Sequence, residues 1–379
     1  TKWGIADAKD RVMCFDIQRE DELFKGWSDA SKSPSREMLP NGKASRYKTG
    51  PYGDSKGLDY FVNASGGIDI IIGGPPCQAY SVAGRVRDEN GMKDDYRNYL
   101  FEHYLSVVNR YQPKVFVFEN VPGLLSAMPD GTPIIQLIES GFSGIGYEIV
   151  DDVKKYAKVD ASDYGVPQNR ERLIILGIRK DVCDDVQSIL HKFYLEILPK
   201  YKSKKKTTVA EAIGDLPKIL PIIDSKDLKS RIGYSEPSCR TTWHKARRHS
   251  LRDVEIYQML ANDIKSGRNE YVDSKSLSDL YEENVGAKSP IHRYHVLRAD
   301  EPSTTIISHL DRDGNRFIHY DPEQGRDITP REAARIQSFD DDFDFIGNQT
   351  DTYIMIGNAV PPLLAKCVGL AVSEVLDIL

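Results

Sequence analysis

The stretch that most limits this chain is Ile68-Asp69-Ile70-Ile71-Ile72, followed at once by Gly73-Gly74-Pro75-Pro76 and then Cys77. A short β-branched run of this kind is a buried strand, and two glycines with two prolines allow neither a helix nor a longer ladder after it. A second apolar run, 115–118, stops in the same way at Glu119-Asn120. Between them, residues 96–111 place Leu100, Tyr104, Leu105 and Val108 at helical spacing. Runs at 147–150 and 173–178 predict two more strands, and 330–339 and 360–376 predict helices, the latter with proline in its first turn. Strands alternating with helices predict an α/β fold with a mostly parallel sheet. Ligands in such sheets sit at the carboxyl ends of the strands, where Cys77 and Glu119 both fall.

Composition decides which partners remain open. The chain has 379 residues, 40% hydrophobic and 28% charged, which excludes a disordered or low-complexity chain. The net charge of −6 alone argues against a nucleic-acid binder. Resolved along the chain, residues 191–252 hold 15 Lys/Arg against 6 Asp/Glu, a net +9, and the rest sums to −15. A DNA partner is therefore open. The cysteines Cys14, Cys77, Cys183, Cys239 and Cys367 form no CxxC pair, so no metal site and no disulfide framework is expected, and the compartment is read as reducing and cytoplasmic. No run of 18 apolar residues predicts a membrane span. Thr1 in place of Met leads to the expectation that the chain begins inside a longer gene product.

Three residue groups carry chemistry. A lone cysteine is most often a buried structural thiol, but a strand end and a rigid Gly-Gly-Pro-Pro turn suit a nucleophile. Glu119, behind an apolar strand, is placed for general-acid work or for a plain ion pair. Arg170 and Arg172 alternate on an extended segment, so their guanidinium groups are expected on one face, suited to phosphate or a carbonyl oxygen; a salt bridge with Glu171 is the rival reading.

Taken in order, these motifs resemble the DNA (cytosine-5) methyltransferase family. Gly73-Gly74-Pro75-Pro76-Cys77-Gln78-Ala79-Tyr80-Ser81 is similar to its nucleophile motif, Glu119-Asn120-Val121 to its ENV motif, and Gln168-Asn169-Arg170-Glu171-Arg172 to its QxRxR motif. Arg331-Glu332-Ala333-Ala334-Arg335-Ile336-Gln337-Ser338-Phe339 and Gly357-Asn358-Ala359-Val360-Pro361 are similar to its last two motifs. The resemblance runs from about residue 53 to 370 and implies a Rossmann-like S-adenosylmethionine-dependent core with a mixed, mostly parallel sheet. It also implies a smaller, irregular target-recognition domain. The expected division is 1–189 catalytic, 190–325 target recognition, and 326–379 returning to the catalytic domain.

The resemblance further implies that Cys77 attacks carbon 6 of a cytosine flipped out of double-stranded DNA. Glu119 would bond ring nitrogen 3, Arg172 the base carbonyl oxygen, and Arg170 would assist or bind phosphate. The cofactor S-adenosylmethionine, leaving as S-adenosylhomocysteine, would be held by Asp16, Asp54, Ser55, Pro75, Pro76, Leu100, Asn358 and Val360. DNA contacts would include Ser81, Arg97, Val121, Gln168, Lys204, Lys205, Lys206, Lys245, Arg247 and Arg248. A Gly-rich first motif (Phe-x-Gly-x-Gly-Gly) is absent, so an upstream segment or a companion chain is expected to carry it for an otherwise monomeric, prokaryotic or phage-like protein. Three rivals follow: an RNA cytosine methyltransferase, which the long basic slot disfavours; a non-catalytic or split-subunit DNA binder; and a thiol hydrolase, for which no histidine is marked as base.

Overall fold

The strand at 70–73 sets the frame. In the computed structural model, which describes residues 17, 19–27, 35–38, 44–49, 55–75, 100–128, 131–223, 231–238, 241–286 and 294–379, the chain divides into two compact units. The first comprises Thr1–Val159, Arg172–Tyr194 and Val375–Leu379, and the second Asp160–Glu171 and Leu195–Glu374.

The first unit opens with α1 (Glu20–Lys25), the antiparallel hairpin β1 (Ser35–Met38) and β2 (Ala44–Thr49), and α2 (Gly57–Ala64). Its sheet contains β3 (Ile70–Gly73), β4 (Val115–Asn120), β5 (Tyr147–Ile149), β6 (Lys158–Asp160) and β7 (Glu171–Arg179), with α3 (Leu100–Tyr111), α4 (Ile134–Gly144) and α5 (Val153–Tyr156) between them and α6 (Val186–Lys192) after. The order is β3-β4-β7-β5, with β6 beside β7. β3 and β4 are parallel, Ile70 opposite Val115 and Gly73 opposite Phe118. β7 is antiparallel to both β4 and β5, so β3, β4 and β5 run one way and β7 runs back between them. The sheet is mixed, as expected. Its core is aromatic: Phe116 stacks on Phe142 at 4.0 Å between ring centroids, and Tyr104 meets Phe118 edge-on at 5.4 Å.

The second unit is mostly helix and loop. It holds α7 (Val209–Ile213), a small sheet of β8 (Pro221–Ile222), β9 (Arg231–Tyr234) and β10 (His249–Ser250), then α8 (Leu251–Lys265), α9 (Ser274–Val285), α10 (Pro330–Ile336), α11 (Gln349–Asn358) and α12 (Pro362–Ile378) as far as Glu374. One core gathers Ile213, Leu297, Phe317, Ile328, Ile336 and Tyr353, and another Tyr257, Leu260, Leu277, Leu280 and Tyr294. The regular helices α8 and α9 correct the expectation of irregular structure through 190–325. Their caps explain them: Ser250 accepts from the Asp253 amide, Asp273 from the amides of Lys275 and Ser276, and Gly286 ends α9 at φ 72°.

Residues 349–378 are the one helical stretch among the described residues long and apolar enough by composition to cross a membrane, with mean hydropathy 1.6 over an 18-residue window. They form two helices of 10 and 17 residues that break after Asn358, and Tyr353, Ile356, Leu364, Val368 and Val372 are buried within protein. Neither piece alone reaches the ~20 residues a bilayer needs.

Candidate active site

Three strand ends meet in the first unit. β3 ends at Gly73, and Gly74-Pro75 continue beyond it. β4 ends at Glu119-Asn120, and Arg172 begins the length of β7 that pairs with β4, where Asn120 lies opposite Leu173. The register brings Arg172 to Glu119: its Nε lies 3.0 Å from Glu119 Oε1, with side-chain exposures of 12% and 19%. An ion pair at this depth keeps both groups partly desolvated and geometrically fixed.

The turn after β3 lies against this carboxylate. A Cβ built on Gly74 would sit 2.8 Å from Glu119 Oε2 and one on Gly73 would enter the Tyr104 ring, so neither position accepts a side chain without movement. Asn120 is buried; its Nδ2 donates to the Pro75 carbonyl at 3.3 Å and its Oδ1 accepts from the Val121 amide at 2.9 Å. Tyr104 Oη sits on the seam of the two strands, 2.9 Å from the Val117 carbonyl and 3.2 Å from that of Ile71. Burial pushes its phenol well above the ordinary range, so it stays protonated and able to donate. The turn leading to Cys77 is thus clamped to the strand that carries Glu119. Cys77 itself lies outside the described residues, as do Asp16, Asp54, Pro76, Ser81 and Arg97.

The other cofactor candidates are placed as follows. Pro75 is half-buried and Leu100 is buried at the start of α3, both apolar surface in the first unit. Ser55 is half-buried, pairs its main chain with Trp27, and accepts from the Gly57 amide at 3.1 Å through Oγ. In the second unit, Asn358 is exposed at the end of α11 and Val360 is half-buried. The acidic residues expected for the cofactor, Asp16 and Asp54, fall outside the described residues.

The family scan agrees with this geometry: the model described as C-5 cytosine-specific DNA methylase matches residues 44–374. The chain belongs to that family. It is a DNA cytosine-5 methyltransferase by that match and by its relatives. It is 35% identical over 328 residues, 82% of this chain and 71% of the relative, to the Type II methyltransferase M.Bpa9945I of Bacillus paralicheniformis. It is 32% identical to M1.HphI of Haemophilus parahaemolyticus, covering 81% of this chain and 68% of the relative. It is 33% identical to M.XorII of Xanthomonas oryzae, covering 80% and 67%.

Within this methyltransferase the second unit corrects several expectations. Arg170 does not share a face with Arg172. It is 1% exposed, and its guanidinium donates to the carbonyls of Ile306 at 2.9 Å, Gly357 at 2.8 Å and Ala359 at 3.2 Å. A buried arginine whose two terminal nitrogens are engaged by main-chain carbonyls serves as scaffold rather than as a phosphate contact. Gln168 is likewise fully buried; it donates to Gln337 and accepts from the Ile306 amide at 2.8 Å, so it does not face DNA. Arg247 turns inward to Asp327 and the Asp311 carbonyl. The remaining DNA candidates are at or near the surface. Lys204 and Arg248 are exposed, Lys205 pairs with Glu211 at 2.5 Å, and Lys206 stands 3.8 Å from both Asp160 and Asp163. Lys245 stands 3.4 Å from Glu236. Val121 is half-buried beside Asn120.

The last motifs are structural as well. Arg326 grips both oxygens of Glu332 at 2.7 Å in a pair with almost no exposure. Arg331, fully buried, donates to the carbonyls of Thr242, Asp340 and Phe343. Gly74, Asn120 and Tyr104 are the site residues that sequence reasoning missed. For Gly74 the signal was the Gly-Gly ahead of the prolines, and for Asn120 its place directly after Glu119.

Proposed function

We propose that this chain methylates carbon 5 of a cytosine swung out of double-stranded DNA, using S-adenosylmethionine and a covalent bond from Cys77 to carbon 6. The observation that carries the proposal is the Glu119–Arg172 pair held under the turn that leads to Cys77. Attack by the Cys77 thiolate on carbon 6 places negative charge toward ring nitrogen 3. Glu119, protonated as the base enters, stabilises that charge by donating its proton to nitrogen 3 while its carboxyl accepts from the exocyclic amine. Arg172 fixes the Glu119 carboxyl through Nε and presents its guanidinium toward the base carbonyl oxygen. The adduct makes carbon 5 nucleophilic; once carbon 5 carries the methyl group, its proton passes to water and the carbon 6–sulfur bond breaks, releasing Cys77 as thiolate; covalent catalysis splits one hard step into two. When bound, S-adenosylmethionine would supply an electrophilic methyl group, becoming S-adenosylhomocysteine, and Pro75, Leu100 and Ser55 of the first unit would help to hold it. Arg170 has no part in the chemistry. Target recognition belongs to 190–325, and the setting is bacterial restriction-modification on cytoplasmic DNA, by analogy with the Type II relatives.

The test is covalent trapping. Full-length protein, S-adenosylmethionine and duplex DNA with 5-fluorocytosine in place of cytosine should give a protein–DNA adduct stable to denaturation. Cys77→Ser should abolish the adduct and keep DNA affinity. Wild-type protein that binds the duplex yet forms no adduct and takes up no cofactor would instead establish the non-catalytic reading.

A further inference from the structure

Residues 241–249, Thr-Thr-Trp-His-Lys-Ala-Arg-Arg-His, have almost no regular structure until β10 and carry five potentially cationic side chains. Segments of this kind are usually loosely held. This one is pinned at six of its nine positions from distant parts of the second unit. Arg331 donates from Nε to the Thr242 carbonyl at 2.9 Å and from its guanidinium to Thr242 Oγ1 at 3.0 Å. The Arg331 amide donates to the Trp243 carbonyl at 3.2 Å, and Trp243 is held at φ 68°, a left-handed conformation costly for a large side chain. The His244 ring is buried, bonded to the Pro217 carbonyl at 2.9 Å and to Thr329 Oγ1 at 3.1 Å. Gln349 holds the Lys245 carbonyl at 3.2 Å.

The basic side chains then divide by direction. Arg247 and His249 converge on the two oxygens of Asp327, whose side chain is 1% exposed, with His249 Nε2 at 2.9 Å. Gly314 borders this cluster, and a Cβ there would collide with both the Arg247 guanidinium and Asp327. Burial works against the Asp327 charge, but His249 and Arg247 hold its carboxyl below the ordinary range, so Asp327 stays a carboxylate. Lys245 and Arg248 are exposed, Lys245 in a loose surface pair with Glu236 at 3.4 Å. Inward bolts and outward cations alternate along one strained, immobilised strap. Holding cations in place ahead of contact lowers the ordering cost of binding, as a phosphate-tracking surface requires.

We infer that 241–248 is a preformed DNA-docking strap that meets the phosphate backbone through Lys245 and Arg248, with Arg247 and Asp327 as internal positioning residues that never touch DNA. This rests on the proposed action on DNA and names the surface that meets it.

The experiment measures binding of the full chain to a 40-base-pair duplex of mixed sequence as a function of salt. Each neutralised phosphate contact lowers the slope of log affinity against log salt by about 0.9. Lys245→Gln and Arg248→Gln should each lower it by about that amount at unchanged thermal stability. Asp327→Asn and Arg247→Lys should weaken binding in parallel at every salt concentration, slope unchanged, and lower the melting temperature. Unchanged slopes in both Lys245→Gln and Arg248→Gln overturn the strap. An Arg247→Gln slope lowered by about 0.9 at wild-type melting temperature overturns Arg247 as a bolt, and if that variant fails to fold, Asp327→Asn carries the same decision. A wild-type chain that binds the duplex at no salt concentration sinks the DNA reading itself, a result distinct from the other two.

Discussion

Glu119 and Glu332 each face an arginine, one in each unit. At Glu119, Arg172 reaches one oxygen at 3.0 Å, the other oxygen borders the Gly74 main chain, and the carboxylate side chain is 19% exposed. At Glu332, Arg326 takes both oxygens at 2.7 Å, the Thr329 amide donates to one of them at 2.7 Å, and the side chain is 1% exposed. Glu332 also closes a capping box at the start of α10. One carboxylate is satisfied from every side and has nothing left to offer a ligand. The other is paired with Arg172 at 3.0 Å, stands at a strand end and keeps 19% of its side chain exposed. The same residue type is framework in one unit and chemistry in the other, and partners and depth decide which.

The largest effect expected is at the framework pair. Glu332→Ala leaves the Arg326 guanidinium buried without its counter-charge, which costs about 3–5 kcal/mol. Thermal unfolding should show the second unit lost or melting far earlier. Wild-type stability in this variant would remove the distinction between the two carboxylates. Glu119→Gln should do the reverse. It keeps the shape, leaves the melting temperature within a few degrees, and slows adduct formation by roughly 10²-fold or more. A rate within two-fold of wild type would return Glu119 to a structural ion pair.

The comparison also has a pH signature. His319 is buried next to Glu332; burial lowers its pKa to about 4, and the Asp321 amide donates to its Nδ1 at 3.0 Å, which requires an unprotonated nitrogen. Burial opposes the Glu332 charge, but Arg326 outweighs it and holds the carboxyl at about 2. Both folded values lie below their unfolded ones. For His319, the unfolded chain takes up a proton from about pH 6.5 downward that the folded chain refuses until about 4, so stability falls across that window. For Glu332, stability is fully present above about pH 4.5 and is lost as pH falls toward 2. Each contributes up to about 3 kcal/mol. The melting temperature should therefore decline steadily below pH 6.5, and His319→Asn should flatten the upper part of that decline. An equal slope in the variant would show that other groups cause it.

What the sequence made legible was local. The strand ends at Gly73 and Asn120 follow from short runs and their punctuation, and Glu119 and Arg172 were legible as separate candidates, but not as partners of one another. The fates of Arg170, Gln168 and Arg247 do not, because each is decided by partners far along the chain: Gly357 for Arg170, Gln337 for Gln168, Asp327 for Arg247. Two arginines two residues apart look equivalent on an extended segment, yet one is drawn into the second unit's interior and the other into a strand-end ion pair. Helices α8 and α9 were hidden by polar faces, and only their Ser250 and Asp273 caps announced them. The Gly-Gly ahead of the prolines marked Gly74 as special, but not why, because the group it makes room for lies 45 positions later in the chain.

The smallest effect tests where the active pair ends and framework begins in the first unit. Tyr104 underlies both strands, with its ring against Gly73 and its hydroxyl 2.9 Å from the Val117 carbonyl. Tyr104→Phe keeps the ring and removes the hydroxyl, at a cost of about 1 kcal/mol for one buried hydrogen bond. The seam between β3 and β4 is still held by its own ladder from Ile70 to Gly73. The expected result is a melting temperature lower by a few degrees and a methyl-transfer rate within about two-fold of wild type, measured well below melting. A rate loss approaching that of Glu119→Gln at unchanged melting temperature would mean that the seam, rather than the Arg172 contact, sets where the carboxylate meets the base. The boundary between chemistry and framework would then lie one layer deeper, beneath α3.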